Sequence, residues 1–106
     1  MLVVNMEEFR DISGYEGLYQ ISNFGRVRSV DRLVTYSNGT SRLHKGIIRK
    51  PSICEYNMIV LSKNGKLKTK KISRLVASHF IENPHNLRVV NHIDGNKHND
   101  KVENLE

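Results

Sequence analysis

The sequence predicts an α+β domain built from small antiparallel β-hairpins and one short helix. Three observations carry that expectation. Two separate stretches read as strand, turn, strand around Gly-bearing breaks. One stretch of eight residues places its apolar side chains at helical spacing. The 106 residues, 38% hydrophobic and 26% charged, have ordinary globular composition, which suits one modest core and excludes disorder of the whole chain.

The first hairpin is Tyr19-Gln20-Ile21-Ser22 followed by Arg26-Val27-Arg28-Ser29-Val30. Apolar and polar residues alternate in both halves, and Asn23-Phe24-Gly25 breaks them, with Gly25 placed for a left-handed turn conformation. Arg26 and Arg28 then share one face of the second strand while Val27 takes the other. Residues 31–55 carry two breaks, Ser37-Asn38-Gly39-Thr40 and Lys50-Pro51-Ser52, and only irregular strands are expected between them. The second hairpin pairs Tyr56–Ser62 with Leu67–Ile72 across an Asn64-Gly65 turn, a strong short-range hairpin signal. Three lysines (Lys68, Lys70, Lys71) crowd its return strand, where they protect an edge or meet phosphate. Ser73 reads as the N-cap of a helix over 74–81, with Leu75, Val76 and Phe80 on one stripe and Asn83-Pro84 as its stop. Two units are expected, 1–55 as a basic hairpin module and 56–106 as the remainder, folded as one compact body.

The charge is unevenly distributed. Net charge is +6, yet residues 26–74 alone hold thirteen Lys or Arg against Asp31 and Glu55, a local charge of +11. Such segregation marks a polyanion binder ahead of a merely solvated basic face. No membrane partner is expected: no apolar run nears the roughly 20 residues that span a bilayer, and the basic residues do not fall on one amphipathic helix. Met1–Glu8 has neither the positive leader nor the apolar stretch of a secretory signal. Cys54 is the single cysteine, which fits a reducing, cytoplasmic location.

Chemistry concentrates between Val89 and Leu105, where seventeen residues include four Asn, two Asp, two His and one Gly. Val89-Val90 should enter as a strand, Asp94-Gly95-Asn96 should turn the chain, and Asn104-Leu105 should begin a returning strand. A calcium loop of the EF-hand type fails, because its sixth position from Asp94 is Asn99 and its twelfth is Leu105. No structural zinc is expected, since His92 and His98 have no cysteine pair beside them. No phosphate-binding Gly-x4-Gly-Lys-Ser/Thr occurs, and nothing local supports a serine or cysteine triad. A histidine among amide oxygens in a basic protein suits metal-assisted hydrolysis of a phosphodiester.

Val-Val-Asn-His-Ile-Asp-Gly-Asn-Lys-x-Asn with Glu-Asn-Leu-Glu resembles the ββα-metal (His-Me finger) core of HNH homing endonucleases of phages and group I introns. Ile72–Phe80 resembles the helix before that core, and Phe9–Val27 is similar to the modular motif at the start of such nucleases. The resemblance implies a DNA endonuclease requiring a divalent cation, Mg²⁺ or Mn²⁺, and acting on double-stranded DNA. His92 would be the general base, Asn104 would fix the imidazole and the loop, and Asn91 would be a metal ligand. Asp94, Asn96 and Asn99 would shape the loop through side chain to backbone bonds, while Arg26, Arg28, Lys68, Lys70, Lys71 and Arg74 would hold the DNA. In the family a helix follows and supplies the last ligand, whereas this sequence ends at Glu106. An incomplete ββα core is therefore expected, and the alternative is a non-cleaving DNA-binding remnant or one part of a nuclease completed by further sequence or a partner chain.

Overall fold

A computed structural model of the protein describes residues 6–82 and 89–106. Its first sheet contains β1 (Phe9–Asp11), β2 (Tyr19–Ser22), β3 (Val27–Ser29) and β6 (Ile48–Arg49), antiparallel and in the order β1-β2-β3-β6. Ile21 lies opposite Val27 and both are buried, while Gln20 lies opposite Arg28 on the other face. The β2–β3 turn runs through Asn23-Phe24-Gly25, with Gly25 at φ +83°.

Between β3 and β6 the chain makes a two-stranded ribbon, β4 (Arg32–Thr35) with β5 (Ser41–His44), in a register of four facing pairs. This is more regular than the irregular strands expected there. The pattern was hard to read because Leu33 and Leu43 face each other yet remain 67% and 58% exposed, so no burial period marks the ribbon.

The third sheet is β7 (Ser52–Ile53), β8 (Asn57–Lys63) and β9 (Lys66–Lys71). Asn64 (φ +53°) and Gly65 (φ +73°) close β8 and β9, two consecutive left-handed residues whose twist matches that of the flanking strands. Ile59 and Leu61 point inward.

The helix, α1 (Ile72–Phe80), starts earlier than expected. Lys71 is its N-cap without a side-chain cap bond, and Ser73 is buried within the first turn. Burial of Ile72 at 1% exposure, not a hydroxyl cap, fixes the start. At the other end Ile81 is extended and its N–H donates to the Ala77 carbonyl. Arg10 of β1 donates to the His79 carbonyl and lies 4.4 Å over the Phe80 ring. A cation is favourable at a helix C-terminus. The stop expected at Asn83-Pro84 lies outside the described residues.

One core joins the first and third sheets and the helix. Ile12, just after β1, and Ile21 and Val27 from the first sheet pack in the same cluster as Leu61, Val76 and Leu105, so residues on both sides of position 55 share it. The C-terminal segment returns to this core through Leu105, 5% exposed. Val89-Val90 does not form the expected strand. Pairing is confined to a bridge between His92 and Leu105, flanked by reciprocal Asn91–Glu106 backbone bonds and a bond from the Ile93 N–H to the Asn104 carbonyl. A 3-10 turn over Val102–Asn104 stands where the returning strand was expected to begin.

Candidate active site

His92 sits on that bridge with its side chain only 5% exposed. Its Nε2 lies 2.9 Å from Oδ1 of Asp100, whose side chain is 3% exposed. A carboxylate can only accept, so Nε2 carries the proton of this bond and Nδ1 is the nitrogen left to act as a base. The carboxamide of Asn104, expected to fix both the imidazole and the loop, bonds the loop, while the imidazole Nε2 is met by Asp100. Asn104 Oδ1 accepts the Asp94 N–H (3.0 Å), and its Nδ2 donates to Asp94 Oδ1 (3.0 Å) and the Asn99 carbonyl (2.9 Å). The physical reason is position: Asn104 ends the 3-10 turn and faces the base of the loop, while Asp100 occupies the side facing Nε2.

The loop is a chain of Asx bonds. Asp94 Oδ1 accepts the Asn96 N–H (2.7 Å), Asn96 Oδ1 accepts the His98 N–H (3.0 Å), and Asn99 Nδ2 donates to Asp94 Oδ2 (2.9 Å). These bonds, with that of Asn99 first and those of Asn96 and Asn104 after it, hold the Asp94 carboxyl below the usual carboxylate range.

A platform from the middle of the chain supports the loop. Four consecutive residues, the three between β7 and β8 and the first of β8, each meet it. The Cys54 carbonyl pairs with His98 Nε2 (2.8 Å), and Glu55 pairs with Lys97 (2.7 Å). The Tyr56 ring lies 6.2 Å from the His92 ring, and Asn57 Nδ2 donates to Asp100 Oδ2 (2.9 Å) and the His98 carbonyl (3.1 Å). The Lys71 ammonium sits 4.0 Å and that of Lys97 5.3 Å from the Tyr56 ring centroid. On another side, the β2–β3 turn docks onto the segment that follows the loop. The Asn23 carbonyl accepts the Val102 N–H (2.8 Å), and a Cβ added at Gly25 would lie 2.9 Å from Asp100 Cβ.

The six basic residues expected to hold DNA do not form one surface. Lys71 lies beside Tyr56. Lys68 and Lys70 pair with Leu61 and Ile59 in the register, so their side chains share the face of those residues and lie on the side of the hairpin opposite Lys71. There, with Lys63, Lys66 and residues 13–15, they line a groove of about 380 Å³. Arg26 is paired with Glu7, donating to it through Nε (2.7 Å) and Nη2. Arg28 lies 3.8 Å over the Phe9 ring and donates to Gln20. Arg74 is exposed on α1.

A cation at this site would find few donors. Asn91 is exposed and its Nδ2 donates to Glu106 (2.9 Å), which leaves Oδ1 as the ligand atom. Among the described residues no group of three His, Cys, Asp or Glu side chains could hold a metal. These donors do not by themselves fit a complete divalent-cation site.

Residues 7–63 match a family model described as the NUMOD4 motif. The chain belongs to the NUMOD4 motif family. The matched region contains the docking turn, the platform and β8. This NUMOD4 chain is also homologous to HNH endonucleases. It is 44% identical over 98 residues to the DNA endonuclease I-HmuI of Bacillus phage SP01, covering 92% of this chain and 50% of that protein. It is 42% identical over 88 residues to an uncharacterized HNH endonuclease of Acanthamoeba polyphaga mimivirus, covering 83% and 23%. A solved structure, described as DNA binding and cleavage by the HNH homing endonuclease I-HmuI, aligns with a TM-score of 0.66 at 39% identity, covering 92% of this chain and 50% of that one. The chain thus spans about half the length of I-HmuI. The α+β fold of antiparallel strands with one short helix agrees with that neighbour.

Asp100, Asn57 and Tyr56 were not singled out from the sequence as site residues. Asp100 stood within the dense polar stretch, eight residues after His92. Asn57 and Tyr56 had no local signal, since only the fold carries them to the loop.

Proposed function

We propose that this chain carries the N-terminal part of an HNH DNA endonuclease, in which His92 is the general base for hydrolysis of a phosphodiester. The observation that carries the reading is the buried imidazole of His92, held by Asp100 at the place where the HNH motif puts its base. A neutral imidazole taking a proton from water near pH 7 contributes typically about 10²–10⁴ in rate. Tyr56 lies beside it with the Lys71 ammonium over its ring, a charge that suits a phosphate. The substrate is double-stranded DNA, and 5′-phosphate and 3′-hydroxyl ends are the products. Lys68, Lys70 and Arg74 serve its backbone, which adds salt dependence rather than sequence choice. Residues 1–55 form the DNA-binding module and 56–106 the start of the nuclease core, acting in the cytoplasm of a host cell.

A divalent cation, Mg²⁺ or Mn²⁺, would neutralise the phosphate and the leaving alkoxide when bound. Asn91 is its candidate ligand here.

Plasmid nicking with Mg²⁺ or Mn²⁺ tests the reading on this chain and on a version continued to the length of its relatives. Nicking by the longer version that is lost in His92→Ala is expected. Equal nicking by His92→Ala, or an inert longer version, overturns it. DNA binding that weakens steeply with salt, with no cleavage under any metal, would identify a binding protein instead.

A further inference from the structure

The pair His92–Asp100 does not end at the carboxylate. Asp100 has two oxygens with different partners: Oδ1 meets His92 Nε2 at 2.9 Å, and Oδ2 accepts from Asn57 Nδ2 at 2.9 Å. The same Asn57 nitrogen also donates to the His98 carbonyl at 3.1 Å. The acid is therefore anchored from the β8 side, and its face toward His92 is fixed. Both side chains of the pair are at least nine-tenths buried, so water does not compete for these bonds.

We infer that Asp100 is the positioning residue of the site, with Asn57 behind it, and that together they hold the His92 imidazole in its Nε2–H tautomer so that Nδ1 stays open to take a proton. This rests on the reading of His92 as the general base, but its first consequence is a property of the resting protein. A base of this kind needs a third group to choose the nitrogen that carries the proton. Without Asp100 the imidazole is free to place its proton on either nitrogen.

Asn57 makes the inference specific. In Asp100→Asn the new side chain has one acceptor and one donor. Asn57 offers a donor, so the oxygen of residue 100 turns toward Asn57 and its NH₂ turns toward His92. Nε2 must then accept, and the proton moves to Nδ1, which blocks the base while leaving the packing almost unchanged. Removing Asn57 as well releases the amide of residue 100, so that its oxygen can again face His92.

The test reads the tautomer directly by ¹⁵N chemical shifts of His92 in the full chain, without DNA or metal. The Nε2–H form is expected in the wild type, the Nδ1–H form in D100N, and a return of Nε2–H signal in D100N combined with Asn57→Ala. In the version continued to the length of the relatives, D100N should lower the cleavage rate by about 10²-fold or more with DNA affinity changed less than threefold. A wild-type Nδ1–H tautomer, or D100N with an unchanged tautomer, overturns the inference. Were D100N to unfold, Asn57→Ala alone provides the second measurement: the carboxylate still takes the Nε2 proton, but it has lost its anchor, so faster solvent exchange of the His92 Nε2 proton is expected, and an unchanged exchange rate refutes the anchoring by Asn57. Correct tautomers with no cleavage in any version would refute the endonuclease reading while leaving the positioning of the imidazole intact.

Discussion

Replacing Gly25 by alanine should damage the site from the opposite end of the chain. Gly25 has φ +83°, where an L-residue is strained, and an added Cβ would lie 2.9 Å from Asp100 Cβ, 3.1 Å from its carbonyl oxygen and 3.2 Å from its carbonyl carbon. None of these atoms is the far end of a flexible side chain, so backbone must shift by several tenths of an ångström. Gly39 supplies the control, with φ +86° and nothing within 4 Å of the added methyl. Both variants incur the left-handed penalty, about 1–2 kcal/mol. Only Gly25→Ala adds an overpacking cost, typically about 1–3 kcal/mol, for a total of about 2–5 kcal/mol. Against a stability of about 5–15 kcal/mol, that is a large fraction. Urea unfolding of the two variants gives the comparison, and the His92 imidazole resonances report whether Asp100 has moved. Equal destabilisation by the two substitutions, or unchanged His92 resonances in a clearly destabilised Gly25→Ala, would refute the docking of this turn on the site.

Three further outcomes are expected. Lys68→Ala with Lys70→Ala should reduce the slope of log affinity against log salt by about 2, since each phosphate contact contributes about 0.9; a slope unchanged by the double substitution would remove their groove from the DNA surface. The hydrogen bond from Arg26 first, opposed by burial and aided by Ser22, holds the Glu7 carboxyl below its ordinary value. The stabilisation it contributes is thus present at neutral pH and lost as pH falls through that depressed value, and Glu7→Gln should flatten the acid limb of a stability–pH curve. Asp94→Ala removes the acceptor of three loop donors, so the Asn96 amide should exchange with solvent markedly faster in a hydrogen-exchange measurement, and unchanged protection would show that the loop stands without it.

The hairpins were legible because local chemistry determined them. Asn64-Gly65 demands two left-handed residues, and alternation around Gly25 separates Ile21 and Val27 from Gln20 and Arg28. The ribbon over 32–44 was not legible as regular structure, because its leucines are exposed and leave no burial signature. The helix start was misread for a related reason: Ser73 has the chemistry of a cap, but tertiary burial of Ile72 outweighs a bond worth about 1 kcal/mol. Within the site, the Asx bonds of residues 94–99 are local and follow from residue type. The partner of the imidazole is less accessible to sequence reasoning, because Asn104 and Asp100 both stand within reach of His92 along the chain. Only the path of the 3-10 turn decides which one faces Nε2.

The platform under the loop has a consequence for how the protein assembles. Its bonds join residues 41 to 44 positions apart, from Asn57 to His98 and from Cys54 to His98. Loop closure over such spans must come before the contacts that reward it, which slows the step relative to the local hairpins. During synthesis the two hairpins can close while residues 97–100 are still inside the ribosome, so His92 emerges before the acid that holds it. The geometry around His92 is then among the last features to form.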